Sequence, residues 1–239
     1  MKKNQIKGQY IFLLVLFLNA YIIYGQTNNE ILVYNWFDKN LGVESLEFEN
    51  GPAHLNFDKT VNNENRYYIS EDFRKGSMQY NNQNYSDLLL NYDTYTDELV
   101  IKPYGELNTT KINLFTQNIS YFKIGNDKFV HLDVPNSTTF RKGYYEEVPV
   151  GNNVILYIKH SKEKKKSNKA EVDLIGYTDR KEFILLKQNN FYPINDKKEI
   201  ITLFQENKRK INDFYLMYRN LRKEDAALFM KNLLKYINN

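Results

Sequence analysis

The residues able to do chemistry in this 239-residue chain are few and scattered. It has no Cys, which removes disulfides, thiolate metal sites and Cys nucleophiles together. Its three His, at His54, His131 and His160, form no His-x-x-x-His or Glu-x-x-His pair, so neither a metal nor a cofactor is expected. The tightest grouping is His131-x-Asp133, two residues on one face of an expected strand, which Glu146 or Glu147 of a neighbouring strand would extend into a metal or acid–base cluster. Glycoside cleavage needs two carboxylates about 5 to 9.5 Å apart, and Asp93, Asp97, Glu98, Glu146 and Glu147 are the candidates. Asp93 falls at a turn, where an Asp side chain commonly bonds its own backbone. Ser70, Ser77 and Ser86 lack a nucleophile elbow, and no phosphate-cradling Gly motif occurs.

Binding chemistry is better represented. Trp36, Tyr67, Tyr68, Tyr80, Tyr85, Tyr92, Tyr95 and Tyr104 offer rings that would stack on sugar faces, although Tyr also suits strands with one wet face. Lys208, Arg209 and Lys210, with Arg219, Arg222 and Lys223, form a basic patch that would meet phosphates. Glu206, Asp213, Glu224 and Asp225 dilute its field, so a solvated helix face is the simpler reading and nucleic acid is not expected as a partner. Sequons at Asn84, Asn108, Asn118 and Asn136 are what chance gives in an Asn-rich chain.

The elements that must position these residues begin with a leader. Lys2, Lys3 and Lys7 precede an apolar run from Tyr10 to Tyr24, shorter than the roughly 20 residues a spanning helix needs. It ends at Gly25-Gln26, the expected cleavage point, and an uncleaved anchor is the alternative; lipidation is excluded without Cys. Beyond the leader, residues 26–158 hold 11 Lys+Arg and 18 Asp+Glu, whereas 159–239 hold 19 and 11. Two halves of opposite sign invite either an anionic partner or mutual attraction within the fold.

From Ile31 to Ile194, short aromatic and β-branched segments alternate with Asn, Asp and Gly, which predicts an antiparallel meander, arranged as a sandwich or a roll. Leu88, Leu90 and Tyr92 should share one face of a strand against Asp87, Leu89 and Asn91. Phe183–Leu186 and Phe191–Ile194 read as a hairpin, with Pro193 at an edge. Residues 161–169, rich in Lys and without apolar side chains, read as a mobile loop. After Asn195 the period becomes helical: Asp196 with Glu199 makes a capping box, and Ile200, Leu203 and Phe204, then Ile211, Phe214 and Phe229 to Ile237, form apolar stripes. The fold class is therefore α+β, with a leader at 1–25, a β-rich domain at 26–194, and two to three helices at 195–239 packed on it.

The leader ending in Gly-Gln, the phrases Phe73-Arg74-Lys75-Gly76-Ser77-Met78, Leu90-Asn91-Tyr92-Asp93 and Asp97-Glu98-Leu99, and Phe191-Tyr192-Pro193-Ile194 before Lys197-Lys198-Glu199-Ile200 resemble a group of exported proteins of Bacteroidota. The likeness covers most of residues 66–210 and implies an envelope location and β-then-α order, with no shared activity. The expectation is an exported protein of the periplasm, outer membrane or medium. It would act as a non-enzymatic binding or scaffolding component with an envelope protein or glycan as partner, touching a membrane only if its leader is kept. The alternatives are a hydrolase of saccharides or peptides whose carboxylates assemble in the fold, and a membrane-tethered partner protein.

Overall fold

Strands form wherever apolar and polar residues alternate and the joints tolerate a left-handed backbone. Asn81 and Asn82 (φ 47° and 64°) and Gln188 and Asn189 (φ 51° and 63°) reverse the chain in two-residue hairpin turns. The computed structural model describes residues 47–61, 64–103, 110–133, 140–151, 153–167 and 174–238. Within them run ten strands: β1 (Arg74–Tyr80), β2 (Gln83–Asp93), β3 (Glu98–Lys102), β4 (Ile112–Asn113), β5 (Ile119–Ile124), β6 (Asp127–Leu132), β7 (Gly143–Gly151), β8 (Val154–Ser167), β9 (Leu174–Lys187) and β10 (Asn190–Pro193). They pair antiparallel in one sheet of order β10-β9-β8-β7-β6-β5-β1-β2-β3-β4, in which the meanders β1–β4 and β5–β10 join side by side through β1 and β5, so the arrangement is a single sheet and not a two-sheet sandwich. Four helices follow: α1 (Lys197–Leu203), α2 (Lys208–Met217), α3 (Arg219–Glu224) and α4 (Ala226–Asn238). The fold is α+β. None of the described helices is long and apolar enough to cross a membrane.

The sheet and the helices belong together to one compact unit, Asn50–Asn239. The leader, the Gly25-Gln26 junction and Trp36 lie outside the described residues, as do Tyr104, Asn108 and Asn136.

One face of the sheet carries the core. Paired residues point the same way, so the registers Phe122↔Phe129, Phe129↔Glu146, Glu146↔Ile158 and Ile158↔Phe183 set these side chains on one face. Over β7, β8 and β9 the helices cover it, where Leu156, Ile158, Phe183 and Leu185 pack with Ile200, Phe204, Phe229 and Leu233. Over β2 and β6 the cover comes from residues 51–61 and 64–73, whose Tyr68 ring meets Tyr92, Phe129 and His160. Among the described residues there, only isolated bridges form, such as Tyr67↔Asp93 and Thr60↔Ile175, where strands were expected. These residues run across the strands to plug their inner face instead of extending the sheet.

The sheet also curls. Four strands separate β2 from β8, yet the Lys162 amide donates to the Thr94 carbonyl at 3.3 Å, and Asp97 Oδ2 lies 2.7 Å from Lys159 Nζ and accepts from the Tyr144 amide at 3.3 Å. The tip of the β2–β3 hairpin thereby closes onto β7 and β8. Gly143 permits it: its φ is 140°, and a Cβ there would sit 1.9 Å from Asp97 Oδ2.

One expectation is corrected. The Lys-rich run from Ser161 to Ser167 is no loop but the outer arm of β8, paired residue for residue with Leu174–Arg180 of β9; Asn168 and Lys169 lie outside the described residues. A β-ladder satisfies the backbone without apolar burial. The side chains are held by charge, Lys162 to Asp179 at 3.0 Å, Arg180 to Glu163 at 3.0 Å and Lys164 to Asp58 at 2.7 Å. The capping box is as expected: the Glu199 amide donates to Asp196 Oδ1 at 2.8 Å and the Asp196 amide to Glu199 Oε2 at 3.0 Å. Residues 197–217 make two helices, broken where Phe204 turns into the core with φ −133°.

The closure yields a prediction. Gly125→Ala, in open space at φ 60°, should destabilise by about 1 kcal/mol. Gly143→Ala, which displaces Asp97, should destabilise by about 3 kcal/mol, read from urea midpoints. Equal losses would show that the hairpin tip contributes nothing to closure.

Candidate functional site

A β-bulge decides which side chains meet. Between Pro149 and Gly151 of β7 the register with β8 shifts by one residue, which sets Glu146 opposite Ile158. His160, two residues further along β8, therefore leaves the same face as Glu146. From the other side α4 arrives, its first turn capped by Asp225, whose Oδ1 accepts from the Leu228 amide at 3.0 Å. One turn on, Lys231 reaches Glu146.

The resulting cluster is tight. His160 Nε2 lies 2.8 Å from Glu146 Oε2, and Lys231 Nζ lies 2.5 Å from Glu146 Oε1, so each carboxylate oxygen has its own partner. Glu146 is 2% exposed and His160 8%. Burial pushes the Glu146 carboxyl up, but the hydrogen bonds and charges of His160 and Lys231 outweigh it and hold the group below its usual range. Burial also lowers the His160 pKa, against the pull of Glu146. An ionised carboxylate accepts only, so Nε2 of the neutral ring carries the proton and Nδ1 the lone pair. Among the described residues Nδ1 finds no partner. The ring is clasped edge-on by Tyr68, at 4.7 Å between centroids, and the Tyr68 hydroxyl donates to Asp127 Oδ2 at 3.2 Å.

His160 lines a cavity of about 360 Å³ between the β8–β9 arm and the start of α4, with Lys181, Lys231 and Asp225 around it and Ile69 and Leu228 in its wall. The size suits a small molecule. A carboxylate-oriented imidazole with a free lone pair is able to accept a hydrogen bond or a proton there. Ser161 is no nucleophile for it, since its hydroxyl donates to the Arg180 carbonyl at 3.4 Å.

The other candidate carboxylates are also engaged. Asp93 Oδ1 accepts from the amides of Tyr95 and Thr96 at 3.0 and 3.2 Å, the turn role expected for it. Its Oδ2 lies 2.6 Å from Arg66 Nε, an ion pair in which the N–H does not point at the oxygen. Asp97 accepts from the Tyr92 hydroxyl at 2.5 Å and pairs with Lys159. Glu98 accepts from Asn113 Nδ2 at 3.1 Å, and Glu147 pairs with Lys128 at 2.6 Å.

His131 and Asp133 do not join Glu146 or Glu147. His131 sits opposite Tyr144 with its ring edge-on to it, and Asp133 pairs with Lys142 at 2.6 Å. Among the described residues no three His, Asp or Glu side chains converge as a metal site. Most of the Tyr rings offered for sugar stacking lie in the core, Tyr67, Tyr80, Tyr85 and Tyr92 all buried. Tyr95 is flanked by Arg66 and Lys164. Lys208, Arg209 and Lys210 are exposed on the first turn of α2, Arg222 stacks on Tyr215 at 5.2 Å, and Lys223 is exposed; they converge on no common centre with the cavity. Nothing local in the sequence distinguishes His160 and Lys231 as the partners of Glu146. Their meeting depends on the β7–β8 register, which the bulge before Gly151 shifts by one residue.

Compared with known proteins, the chain matches no family model, no curated protein and no solved structure.

Acid should act through this cluster and through the other two imidazoles. Burial lowers the pKa of His54, His131 and His160 below the ordinary 6.5, so the unfolded chain takes up protons that the folded one refuses. Stability is then full above 6.5 and falls as pH drops below it; Glu146, depressed from 4.5, adds a second loss as pH falls below that value. The urea midpoint should fall from pH 7 to 5, and less steeply in His160→Gln. A midpoint constant over that range would contradict the neutral buried imidazoles.

Proposed function

We propose that this protein is an exported, non-enzymatic binding component of the cell envelope, whose ligand site is the cavity between α4 and the β8–β9 arm. The observation that carries the reading is the state of its carboxylates. A glycosidase or acid-dependent peptidase needs one carboxyl whose proton is retained near neutral pH, facing a second across a cleft. Asp93, Asp97, Glu98, Glu146 and Glu147 each engage a cation or a donor, and Glu146, beneath the cavity, is driven further toward ionisation; of the two acids that line the cavity, Asp179 pairs with Lys162 and Asp225 caps α4. The cavity retains unfilled hydrogen-bonding capacity at His160, which a bound molecule would fill.

Export rests on the leader, with Lys2, Lys3 and Lys7 before the apolar run to Tyr24 and cleavage at Gly25-Gln26, and on the likeness to exported proteins of Bacteroidota. A glycan or an envelope protein is the expected partner.

Two measurements test the reading. The chain recovered from envelope or medium should have an intact mass beginning at Gln26. Incubated with saccharide and peptide substrates, the purified protein should give no turnover. Hydrolysis that Glu146→Gln or Asp93→Asn abolishes would overturn the binding assignment.

A further inference from the structure

The cavity holds two complementary gaps side by side. Its lining cations are Lys162, Arg180, Lys181 and Lys231, and its acids Asp179 and Asp225. Three of the cations are spoken for: Lys162 by Asp179, Arg180 by Glu163 and Lys231 by the Glu146 carboxylate beneath. Asp225 caps α4. Lys181 alone among these cations has no carboxylate within ion-pair distance among the described residues. It is half-buried at the edge of the cavity.

Lys181 is also the ladder partner of His160, directly opposite it in the β8–β9 pair. Opposite residues in an antiparallel ladder send their side chains from the same face, with Cβ atoms about 5 Å apart. The unfilled Nδ1 lone pair of His160 and the uncompensated ammonium of Lys181 therefore face one ligand, not two. Nδ1 asks for a hydroxyl or amide donor; the ammonium asks for an anion. Ile69 and Leu228, 45% and 43% exposed, add an apolar wall at the same opening.

We propose that the cavity binds a small hydroxylated carboxylate of the sugar-acid class, its carboxylate on Lys181, a hydroxyl donating to His160 Nδ1, and its C–H face against Leu228 and Ile69. The inference rests on the binding reading above and deepens it. Glu146 serves as a positioning residue, fixing the tautomer that leaves Nδ1 free, and Lys231 holds Glu146 ionised. Neither touches the ligand in this arrangement. Lys181 sets the charge selectivity, and His160 selects a donor over an acceptor.

D-galacturonate, D-galactose and cyclohexanecarboxylate separate these contributions, since the second lacks the carboxylate and the third the hydroxyls. Titrated into the mature chain and followed by NMR at Ala227, Leu228 and Lys181, galacturonate should bind, and each of the other two should bind about tenfold or more weaker. Lys181→Met should weaken galacturonate by about tenfold while leaving galactose and the melting temperature unchanged. His160→Gln should weaken both sugars, and its melting curve reports whether it still folds. Galactose binding as well as galacturonate, or a Lys181→Met protein that retains full galacturonate affinity, overturns the anionic class while the cavity stands as a binding site. If none of the three probes disturbs those signals at millimolar concentration, the sugar-acid inference falls; turnover of any probe overturns the binding reading itself.

Discussion

A carboxylate 2% exposed beneath a helix has to be neutralised where it lies, and Glu146 is the point on which this architecture turns. One oxygen is met by His160 on the neighbouring strand and the other by Lys231 on α4. The first contact aligns the imidazole across the β7–β8 ladder. The second fixes how far along the sheet α4 lies, because apolar packing of Leu233, Phe229 and Met230 is tolerant of small shifts and a hydrogen-bonded ion pair is not. The cavity is the space that remains above this anchored corner.

The same logic runs through the closure of the sheet. Its opposite-sign halves meet one another: Lys159 with Asp97, Lys164 with Asp58, Lys231 with Glu146, and Arg141 with Glu182. In each pair one partner comes from before residue 159 and the other from 159 onward. Lys159 and Asp97 are the most consequential, since Lys159 is buried and its ammonium would be an uncompensated charge without the hairpin tip. Burial draws the Lys159 pKa down and Asp97 opposes it. The charge asymmetry of the chain is thus spent on its own tertiary structure, leaving Lys181 as the conspicuous exception within the cavity.

Aromatic content follows the inner face. Tyr92, Phe122, Phe129 and Tyr144 meet one another at centroid distances of 4.8–6.0 Å, and Tyr68 and His160 continue the array toward the cavity. Such clusters of edge-to-face and stacked rings fill the hollow of a curled sheet with few, large side chains. Buried there, those rings offer no platform for a sugar, and recognition falls to charge and hydrogen bonding at the cavity.

Much of the fold was legible from local chemistry: the alternation that buries Leu88, Leu90 and Tyr92, the Asn turns, the Asp196–Glu199 box, and the helical stripe from Phe229 to Ile237 depend only on neighbours within a few residues. The turn role of Asp93 was readable for the same reason. The β8–β9 arm was not, because a ladder of charged residues is stabilised by a strand that approaches from elsewhere and leaves no apolar period behind. Nor was the site. Without the Gly151 bulge, the hairpin count sets Glu146 opposite Lys159 and turns His160 to the other face; one extra residue in β7 reverses that outcome. Sequence determined which groups this protein has and which local elements carry them; only the tertiary structure decided which side chains meet, because period-two strands convert a single-residue shift in register into a change of face.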